Sequence, residues 1–593
     1  MWWGKLLSVL LFFISLSSAL ESKTYTFEKL NILSDDLVLK GINPKYDFYL
    51  PTLPQLSNGE VRLNLSFSPY LRDDSTLTVL INDIPYKTFK VREIPPLLRI
   101  PFIRKGDRDF VKVSLLGNLR VSNNVCEDVF SDKVWLVVGK NSTVEFKYDH
   151  YKNIREFLRD YDNRYCIKSP WLIPLVYQIC KQNPVPCDVI YQPNDEDCRK
   201  YIDEAKGDLL ELKGNTLYVP LETPLAFERG VFYPFLFGSP QEIKNVRRES
   251  EEVLSEVSLR DLGIDTVSVE GVGNLSYTIP LELSKIGGVP DKLFFRIFIA
   301  HTPVHKRDNM EIRIYLNGRM VSAYPLDGSG KKSFDIELPV NELTYGTNYV
   351  SVNLANFTSA DNCFGAVSHI VFTLFGDSYF YWNNLKSNPK TISDFLKILN
   401  GYVAIVVKDP HFYSLATKLI SDLANFNKNI KILDLNPPDV SKHDFLILFE
   451  SPANTKGRLI DLSRGEFDLI NPLTQKVIFS SKPNESFTAL MVDRIEGKPA
   501  LVLSYYPDPS GIKMLSLYQF RNLLELSGNV GIATKDFISA YEVGKKLRVE
   551  YKYEKGFGYY WNRYKLWIIM FLVIPVTTFL AYVYRKLTRR SQT

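Results

Sequence analysis

The sequence predicts an α+β multidomain protein in which two jelly-roll-like β-sandwich domains alternate with α/β segments, followed by one C-terminal transmembrane helix. Three observations lead to this prediction. One β-rich passage occurs twice in the same order, fully apolar strands alternate with helices after the second copy, and a long uncharged stretch lies near the C-terminus. At 593 residues the chain is also too long for a single hydrophobic core.

Residues 1–19 have the features of a secretory signal peptide. A positive charge at Lys5 precedes an apolar run from Leu6 to Leu16, and small residues follow up to Ala19. We therefore expect cleavage near Ala19 and export of the chain that follows, in which disulfides are permitted.

Residues 20–150 and 258–382 carry the duplicated passage and predict two related β-sandwich domains. Apolar residues occupy every second position over Val61–Phe67 in the first copy and over Leu293–Ile299 in the second, with turn residues between such runs. The alternation and the even spacing predict an antiparallel sandwich or jelly roll for each copy. The correspondences include Leu80-Ile81-Asn82-Asp83 with Tyr315-Leu316-Asn317-Gly318, Cys126 with Cys363, and Gly139 with Gly376.

Residues 151–257 differ from both copies and predict a divergent, cysteine-rich α/β insert. Helices are expected over Asn153–Tyr161 and Asp195–Lys206, with a strand over Asp188–Tyr191 before the second helix. The spacing of the cysteines lacks the CxxC pairs of a zinc site and indicates a local disulfide staple whose pairing stays open. The cysteines concerned are Cys166, Cys180, Cys187 and Cys198.

Residues 383–548 predict a second α/β domain. The continuous apolar strand Tyr402–Val407 precedes a helix over about His411–Asn425, and further apolar strands follow. Strands without alternation, separated by helices, are typical of a largely parallel sheet that is buried on both faces.

The C-terminal part predicts a membrane anchor. Residues 549–565 form an interfacial segment, and the uncharged run from Leu566 to Tyr584, with Pro575 inside it, is long enough for a transmembrane helix. The basic residues Arg585 and Lys586 open the tail 585–593, which the positive-inside rule places in the cytoplasm.

Composition and motifs exclude several classes of function. A formal charge of +5 over 593 residues gives no reason to expect nucleic-acid binding. Motifs for phosphate loops, dinucleotide folds and nucleophile elbows are missing, and Pro303 between His301 and His305 argues against a helical metal pair. We therefore assign no catalytic, cofactor-binding or metal-binding residue, and we expect no cofactor.

An exposed aromatic ring on a β-sandwich is a means of stacking on a sugar ring. Tyr70, which follows the Ser68-Pro69 turn, is the residue that the sequence favours for such a glycan contact. Packing at the edge of the core is the alternative for this side chain.

The order of these segments resembles the BcsB family, the periplasmic subunit of bacterial cellulose synthase. The resemblance implies carbohydrate-binding-like jelly rolls, flavodoxin-like α/β domains, and a terminal helix that packs on a membrane-embedded synthase. The family's label for cyclic di-GMP does not carry over, because Arg155 and Arg159 have only the first half of that signature; we assign such binding to the synthase partner. The residues that carry the resemblance are Leu37-x-Leu39-x-Gly41 with Val267-x-Val269-x-Gly271, Ser68-Pro69 with Thr302-Pro303, Leu80-Ile-Asn82 with Tyr315-Leu-Asn317, and Cys126…Trp135 with Cys363…Phe372.

By this resemblance we expect a non-catalytic, single-pass subunit of the bacterial inner membrane, with its bulk in the periplasm and its C-terminus in the cytoplasm. Its expected partners are the catalytic subunit of cellulose synthase, which consumes UDP-glucose, and the nascent β-1,4-glucan exopolysaccharide; a homo-oligomer stays open. Two alternatives also stay open: a periplasmic glycan-modifying enzyme, and a membrane-tethered glycan-binding adhesin or sensor.

Overall fold

The computed structural model shows a chain that is mostly β-structure, with 45% of residues in strands and 19% in helices. The α+β class predicted for the chain, with flavodoxin-like domains and a transmembrane helix, is therefore wrong. One segment that was expected to be helical, within Asp195–Lys206, pairs instead as a strand in a sheet described below. The structure describes residues 21–33, 35–104, 110–124, 127–128, 131–149, 151–192, 198–221, 241–242, 255–271, 274–304, 308–344, 347–358, 370–472, 474–544 and 557–590.

Residues 21–149 form the first sandwich. Its larger sheet has six strands in the order β1-β10-β4-β9-β2, with β7 also paired to β4, and its smaller sheet has the order β3-β8-β5-β6. Apolar side chains on alternate positions of both sheets meet in one core. The strands are β1 Glu21–Thr26, β2 Leu37–Lys40, β3 Lys45–Pro51, β4 Leu56–Phe67, β5 Thr76–Ile81, β6 Ile84–Lys90, β7 Leu97–Ile103, β8 Phe110–Asn118, β9 Trp135–Val138 and β10 Thr143–Tyr148.

Residues 151–242 contribute a mixed sheet, which we call the first mixed sheet, in the order β12-β11-β13-β15-β14-β16. Strands β12, β11, β13 and β15 are parallel neighbours. The helix expected over Asp195–Lys206 is wrong, because β13 occupies Tyr201–Glu204 and pairs with β11 and β15. The elements are α1 Ile154–Leu158, β11 Arg164–Ile167, α2 Ile173–Gln182, β12 Asp188–Tyr191, β13 Tyr201–Glu204, β14 Leu209–Lys213, β15 Thr216–Val219 and β16 Gln241–Glu242.

Two disulfide bonds cross-link this segment. Cys166 is bonded to Cys198, and Cys180 at the end of α2 is bonded to Cys187 just before β12. The expected local staple is therefore confirmed, and the structure supplies the pairing that the sequence left open.

Residues 255–385 form the second sandwich, whose strand order repeats that of the first. Its larger sheet has the order β17-β26-β20-β25-β18 with β23 paired to β20, and its smaller sheet has the order β19-β24-β21-β22. Each strand thus has the same neighbours as its counterpart in the first sandwich, which agrees with duplication. The elements are β17 Glu256–Ser258, β18 Val267–Gly271, β19 Leu275–Glu282, α3 Leu283–Ile286, β20 Leu293–His301, β21 Asp308–Leu316, β22 Arg319–Pro325, β23 Lys331–Leu338, β24 Thr347–Thr358, β25 Ile370–Leu374 and β26 Tyr379–Trp382.

Residues 386–544 contribute the second mixed sheet, in the order β28-β27-β29-β34-β33-β35-β36. The first four strands are parallel, and the remaining three add antiparallel to them. A separate sheet has the order β30-β31-β32. The elements are α4 Ile392–Ile398, β27 Gly401–Val407, α5 Tyr413–Phe426, β28 Ile430–Leu435, β29 Phe445–Phe449, β30 Ile460–Asp461, β31 Phe467–Ile470, β32 Val477–Ser481, β33 Phe487–Ile495, β34 Lys498–Tyr506, α6 Ile512–Ser516, α7 Phe520–Leu524, β35 Val530–Ala533 and β36 Ile538–Tyr541. Short 3-10 segments of the chain are Val91–Glu93, Pro170–Leu172, Val340–Glu342, Pro410–Phe412, Pro452–Thr455 and Pro509–Gly511.

The two mixed sheets share one hydrophobic core although a complete sandwich separates them in sequence. The buried Tyr177 hydroxyl on α2 donates to the carbonyl of Asn427 at 2.9 Å and accepts from the amide of Ile430 at 3.1 Å. The Asn425 side chain on α5 bonds both the amide and the carbonyl of Cys187 at 2.8 Å. These contacts make the two mixed sheets a single packed body.

The chain divides into two compact units between Val543 and Gly544. The second unit contains helix α8, Phe557–Arg590, in which Pro575, Tyr584, Arg585 and Lys586 are exposed.

Among the residues that the structure describes, no helix is long and apolar enough to cross a membrane. The transmembrane helix expected over 566–584 is corrected accordingly. The side chain of Leu566 lies outside the described residues. The signal peptide expected over residues 1–19 also lies outside the described residues.

Candidate functional site

The outer face of the larger sheet of the second sandwich carries a row of four aromatic rings. Strand β20 alternates buried apolar residues with outward ones, so Phe294 and Phe298 point away from the core. Tyr379 and Tyr381 of the neighbouring strand β26 lie on the same face and are also partly exposed. We call these four residues the aromatic strip.

Cross-strand pairing holds the rings of the aromatic strip together. Phe294 lies opposite Tyr381, and their rings are stacked at 5.0 Å with an interplanar angle of 15°. Tyr379 lies 5.8 Å from Tyr381 and 6.3 Å from Phe298, measured between ring centroids. From Phe294 to Phe298 the strip extends about 13 Å along the strand.

Polar groups border the aromatic strip on its β23 side. The Tyr381 hydroxyl donates to both carboxylate oxygens of Asp335 at 2.9 Å. Arg296 lies between the two phenylalanines on β20, and its guanidinium is 3.6 Å from the same carboxylate. Burial and the carboxylate of Asp335 raise the pKa of Tyr381, so its hydroxyl keeps its proton at neutral pH.

This arrangement has the chemistry of a surface that binds sugars. The partly exposed rings form an apolar surface against which a pyranose can pack, while the carboxylate and the guanidinium can bond hydroxyl groups at the edge. The strip is hard to see in the sequence because Phe294 and Phe298 stand between buried apolar residues, and Arg296 alone interrupts the apolar strand. The available signal was that Phe294 and Phe298 share the period-2 face of the charged residue Arg296.

The corresponding face of the first sandwich is charged. The buried pair Val61 and Val144 in β4 and β10 matches Phe295 and Phe380 in β20 and β26. Counting from these core pairs gives the residues of the first sandwich that are equivalent to the aromatic strip. They are Glu60 for Phe294, Glu145 for Tyr381, Thr143 for Tyr379 and Asn64 for Phe298.

Ion pairs cover this charged face of the first sandwich. The Arg62 guanidinium bonds Glu60 at 2.6 Å and also pairs with Glu145 across the strands. The arginine thus pairs with both carboxylates. This face of the first sandwich has carboxylates at the positions where the second sandwich has aromatic rings.

Tyr70, the glycan contact favoured by the sequence, lies in the loop after β4 and is 60% exposed. The ammonium of Lys133 lies over its ring, 4.8 Å from the centroid. One face of the ring therefore already has a cation–π partner. The aromatic strip belongs to the other sandwich, so the structure does not join Tyr70 to it.

The two glycines that match in the repeat follow β9 and β25. A Cβ atom at Gly139 would come within 2.5 Å of the Asn141 side chain, and one at Gly376 would come within 3.2 Å of the Ile264 carbonyl oxygen. Both positions are therefore tight. The matching Cys126 and Cys363 lie outside the described residues.

In the second mixed sheet, an ion-pair network lies where the strand order reverses, at the carboxyl ends of β27 and β29. The fully buried Glu450 accepts from Lys408 at 3.1 Å and from Arg458 at 2.5 Å. Beside it, Asp409 accepts from Tyr505 at 2.8 Å, and burial raises the pKa of this tyrosine to about 12. Open α/β sheets commonly bind ligands in the crevice at this point of the sheet, where the strand order reverses. In this chain the charged side chains at that point are bonded to one another.

His301 is buried, and its Nδ1 lies 2.9 Å from the carbonyl oxygen of Thr302. His305 lies outside the described residues. Within the described part of the chain, no group of three or more His, Cys, Asp or Glu side chains is placed to hold a metal ion.

A family model gives the sequence match that bears on function. The model described as "Cellulose synthase BcsB, first CBM domain" matches residues 21–150, which form the first sandwich. This match confirms the resemblance to the BcsB family and supports a role as a BcsB subunit of cellulose synthase. A comparison with curated proteins found no significant match.

Solved structures with weak similarity include two carbohydrate-binding modules. The CBM51 of Clostridium perfringens GH95 in complex with methyl-galactose is 14% identical, and the match covers 19% of this chain and 68% of that one with a TM-score of 0.13. The CBM36-1 domain of a xylanase from the hindgut metagenome of Trinervitermes trinervoides is 13% identical, covering 20% and 77%, also with a TM-score of 0.13.

A longer but equally weak match is the ANX2 ectodomain from Arabidopsis thaliana. It is 10% identical, and the match covers 59% of this chain and 83% of that one with a TM-score of 0.13. Similarity at these TM-scores carries no conclusion about function.

Proposed function

We propose that this chain is a non-catalytic, periplasmic, membrane-associated subunit of a cellulose synthase, which supports the catalytic subunit and guides the nascent β-1,4-glucan. The observation that carries the proposal is the match of residues 21–150 to the first carbohydrate-binding module of cellulose synthase BcsB. The duplicated strand order supplies a second sandwich of the same kind.

In this proposal the aromatic strip of the second sandwich is the surface that contacts the glucan. Its support is geometric, because four partly exposed rings on two neighbouring strands form one surface with hydrogen-bonding groups at its edge. A neutral glucan has apolar ring faces and hydroxyl edges, so stacking and edge hydrogen bonds together suit it. A surface that binds by stacking lets a polymer slide, which guiding requires.

Tyr70 is proposed as a subsidiary contact on the first sandwich. Its 60% exposure leaves one ring face open to a sugar, while Lys133 occupies the other. A single ring gives weaker stacking than the four rings of the strip, so we expect its contribution to be smaller.

The test is glucan synthesis by reconstituted membranes that contain the catalytic subunit, with and without this chain, supplied with UDP-glucose. We expect the chain to co-purify with the multi-spanning glycosyltransferase, and we expect its omission to reduce polymer yield at least tenfold. Full synthesis without the chain, together with failure to co-purify, contradicts the proposal. Release of soluble sugars from β-glucan by the isolated chain contradicts its non-catalytic part.

A further inference from the structure

A cleft of 640 Å³ lies where the two sandwiches and the two mixed sheets meet. This volume falls within the range of roughly 300–1,000 Å³ in which proteins bind small ligands. Each of the four regions contributes to its walls: Lys29 and Phe110 from the first sandwich, Pro186 from the first mixed sheet, Tyr277 and Tyr349 from the second sandwich, and Asn429 from the second mixed sheet.

Counterpart strands of the two sandwiches, β3 and β19, approach each other at this cleft. The rings of Tyr46 and Tyr349 join the two sandwiches edge to face at 6.2 Å. On the cleft wall, Tyr49 and Phe110 lie edge to face at 5.3 Å, and Phe110 is 41% exposed. The sandwiches therefore line the cleft with aromatic surface.

The second mixed sheet contributes a polar group that lacks a bonding partner. Asn429 is only 6% exposed, and its side-chain oxygen is buried without a hydrogen bond to any residue that the structure describes. A buried acceptor that is left unpaired costs stability, because it has lost its hydrogen bond to water. Asn429 lines the cleft, so the wall at this point holds an acceptor that a donating ligand group can satisfy once the side chain turns toward it.

The charges around the cleft balance. Lys29 and Lys428 contribute two cations, and Asp265 and Glu282 contribute two carboxylates. Two cations and two carboxylates together do not favour a phosphate or another anion. Amide groups, ammonium groups and carboxylates can all form hydrogen bonds with hydroxyl groups. Aromatic walls with such groups match a neutral sugar better than a nucleotide.

We propose that this junction cleft is a second glycan-binding site, which takes a short β-1,4-glucan oligomer or the free end of the polymer. The site is separate from the aromatic strip and rests on the proposed function for the class of sugar. The walls come from four regions, so the bound oligomer would also hold those regions together.

The test is titration of the full chain with cellotetraose, read by calorimetry, in wild type and in two cleft variants. Asn429→Leu keeps the side-chain size and removes the unpaired oxygen, so we expect at least tenfold weaker binding with an unchanged or higher unfolding temperature. Phe110→Ala removes an exposed ring, and we expect about fivefold weaker binding. The matched control is the double variant Glu60→Ala with Glu145→Ala on the charged face of the first sandwich, which should bind cellotetraose as wild type does. A further variant, Phe294→Ala with Tyr381→Ala, which we call the strip variant, separates binding at the strip from binding at the cleft.

Wild-type affinity for cellotetraose in both cleft variants, or no binding of cellotetraose by the wild-type chain, overturns the cleft proposal. If the strip variant alone loses cellotetraose, the oligomer binds at the strip; the cleft proposal then fails while the proposed function stands. Failure of the wild-type chain to bind either cellotetraose or insoluble cellulose overturns both.

Discussion

The two sandwiches share a strand order but present opposite chemistry on the same face. Around equivalent buried pairs, the second sandwich exposes Phe294 and Tyr381, whereas the first exposes Glu60 and Glu145. The residues that build the core determine the topology, and the alternate residues on the same strands are free to diverge because a strand points them to solvent. The sugar contact that we propose therefore belongs to one copy, because of the side chains on its face, and not to both copies because of their shared fold.

The largest effect should follow from removing the rings of the second face. We expect Phe294→Ala with Tyr381→Ala to weaken binding of the full chain to insoluble cellulose about 30-fold, since each ring contributes roughly 1 kcal/mol. A pull-down isotherm measures this loss. The matched control is Glu60→Ala with Glu145→Ala at the equivalent positions, which should leave binding unchanged; an equal loss in both variants would remove the distinction between the faces.

A smaller loss should come from the polar border of the aromatic strip. Asp335→Asn keeps the shape of the side chain but removes the negative charge of the carboxylate, which accepts a hydrogen bond from Tyr381 and pairs with Arg296. We therefore expect about fivefold weaker cellulose binding in the same isotherm. Arg99 occupies the equivalent position on β7, opposite Arg62. Arg99→Gln should not change the isotherm, and a similar loss there would argue for a general charge effect.

Transplanting the rings sharpens the comparison in the other direction. The starting point is the variant Phe294→Ala with Tyr381→Ala. Adding Glu60→Phe and Glu145→Tyr to it should raise its affinity for cellulose about threefold, because the same backbone register would then hold a stacked pair. The recovery is partial, since Thr143 and Asn64 still replace the other two rings. No recovery, in a variant with the wild-type unfolding temperature, would show that the first sandwich cannot serve as a scaffold for such a surface.

The smallest expected effect concerns stability. Arg62 and Arg296 occupy equivalent positions and make partly exposed ion pairs. Such pairs contribute less than about 1 kcal/mol, so Arg62→Ala and Arg296→Ala should each lower the free energy of unfolding by less than that amount. Urea denaturation checks this. A loss of several kcal/mol in either variant would mean that the face is part of the fold rather than a free surface.

Period-2 alternation was the most reliable signal in the sequence. It predicts β4 and β20, because a sheet buried on one side sorts apolar and polar residues in turn. The segment at Asp195–Lys206 shows the opposite case: its local pattern favours a helix, but the parallel partners β11 and β15 draw Tyr201–Glu204 into the sheet. Local preference was overruled there by pairing between distant segments.

The candidate site was less accessible from the sequence than the fold. Tyr70 could be chosen from its turn, yet nothing local indicates that Lys133 lies over its ring. The aromatic strip needs Phe294 beside Tyr381, two residues on different strands whose register only the folded sheet defines. The junction cleft needs four regions of the chain at once, and the sequence contains no pattern for such a meeting.

The most direct test of the central claim is photo-cross-linking during synthesis. A benzoylphenylalanine in place of Phe298 keeps an aromatic ring in the strip, and one in place of Asn64 occupies the equivalent position of the first sandwich. With the chain assembled on an active synthase and radiolabelled UDP-glucose as substrate, the account predicts labelled glucan attached at position 298 and little at position 64. Labelling that is equal at the two positions, or confined to position 64, would contradict it.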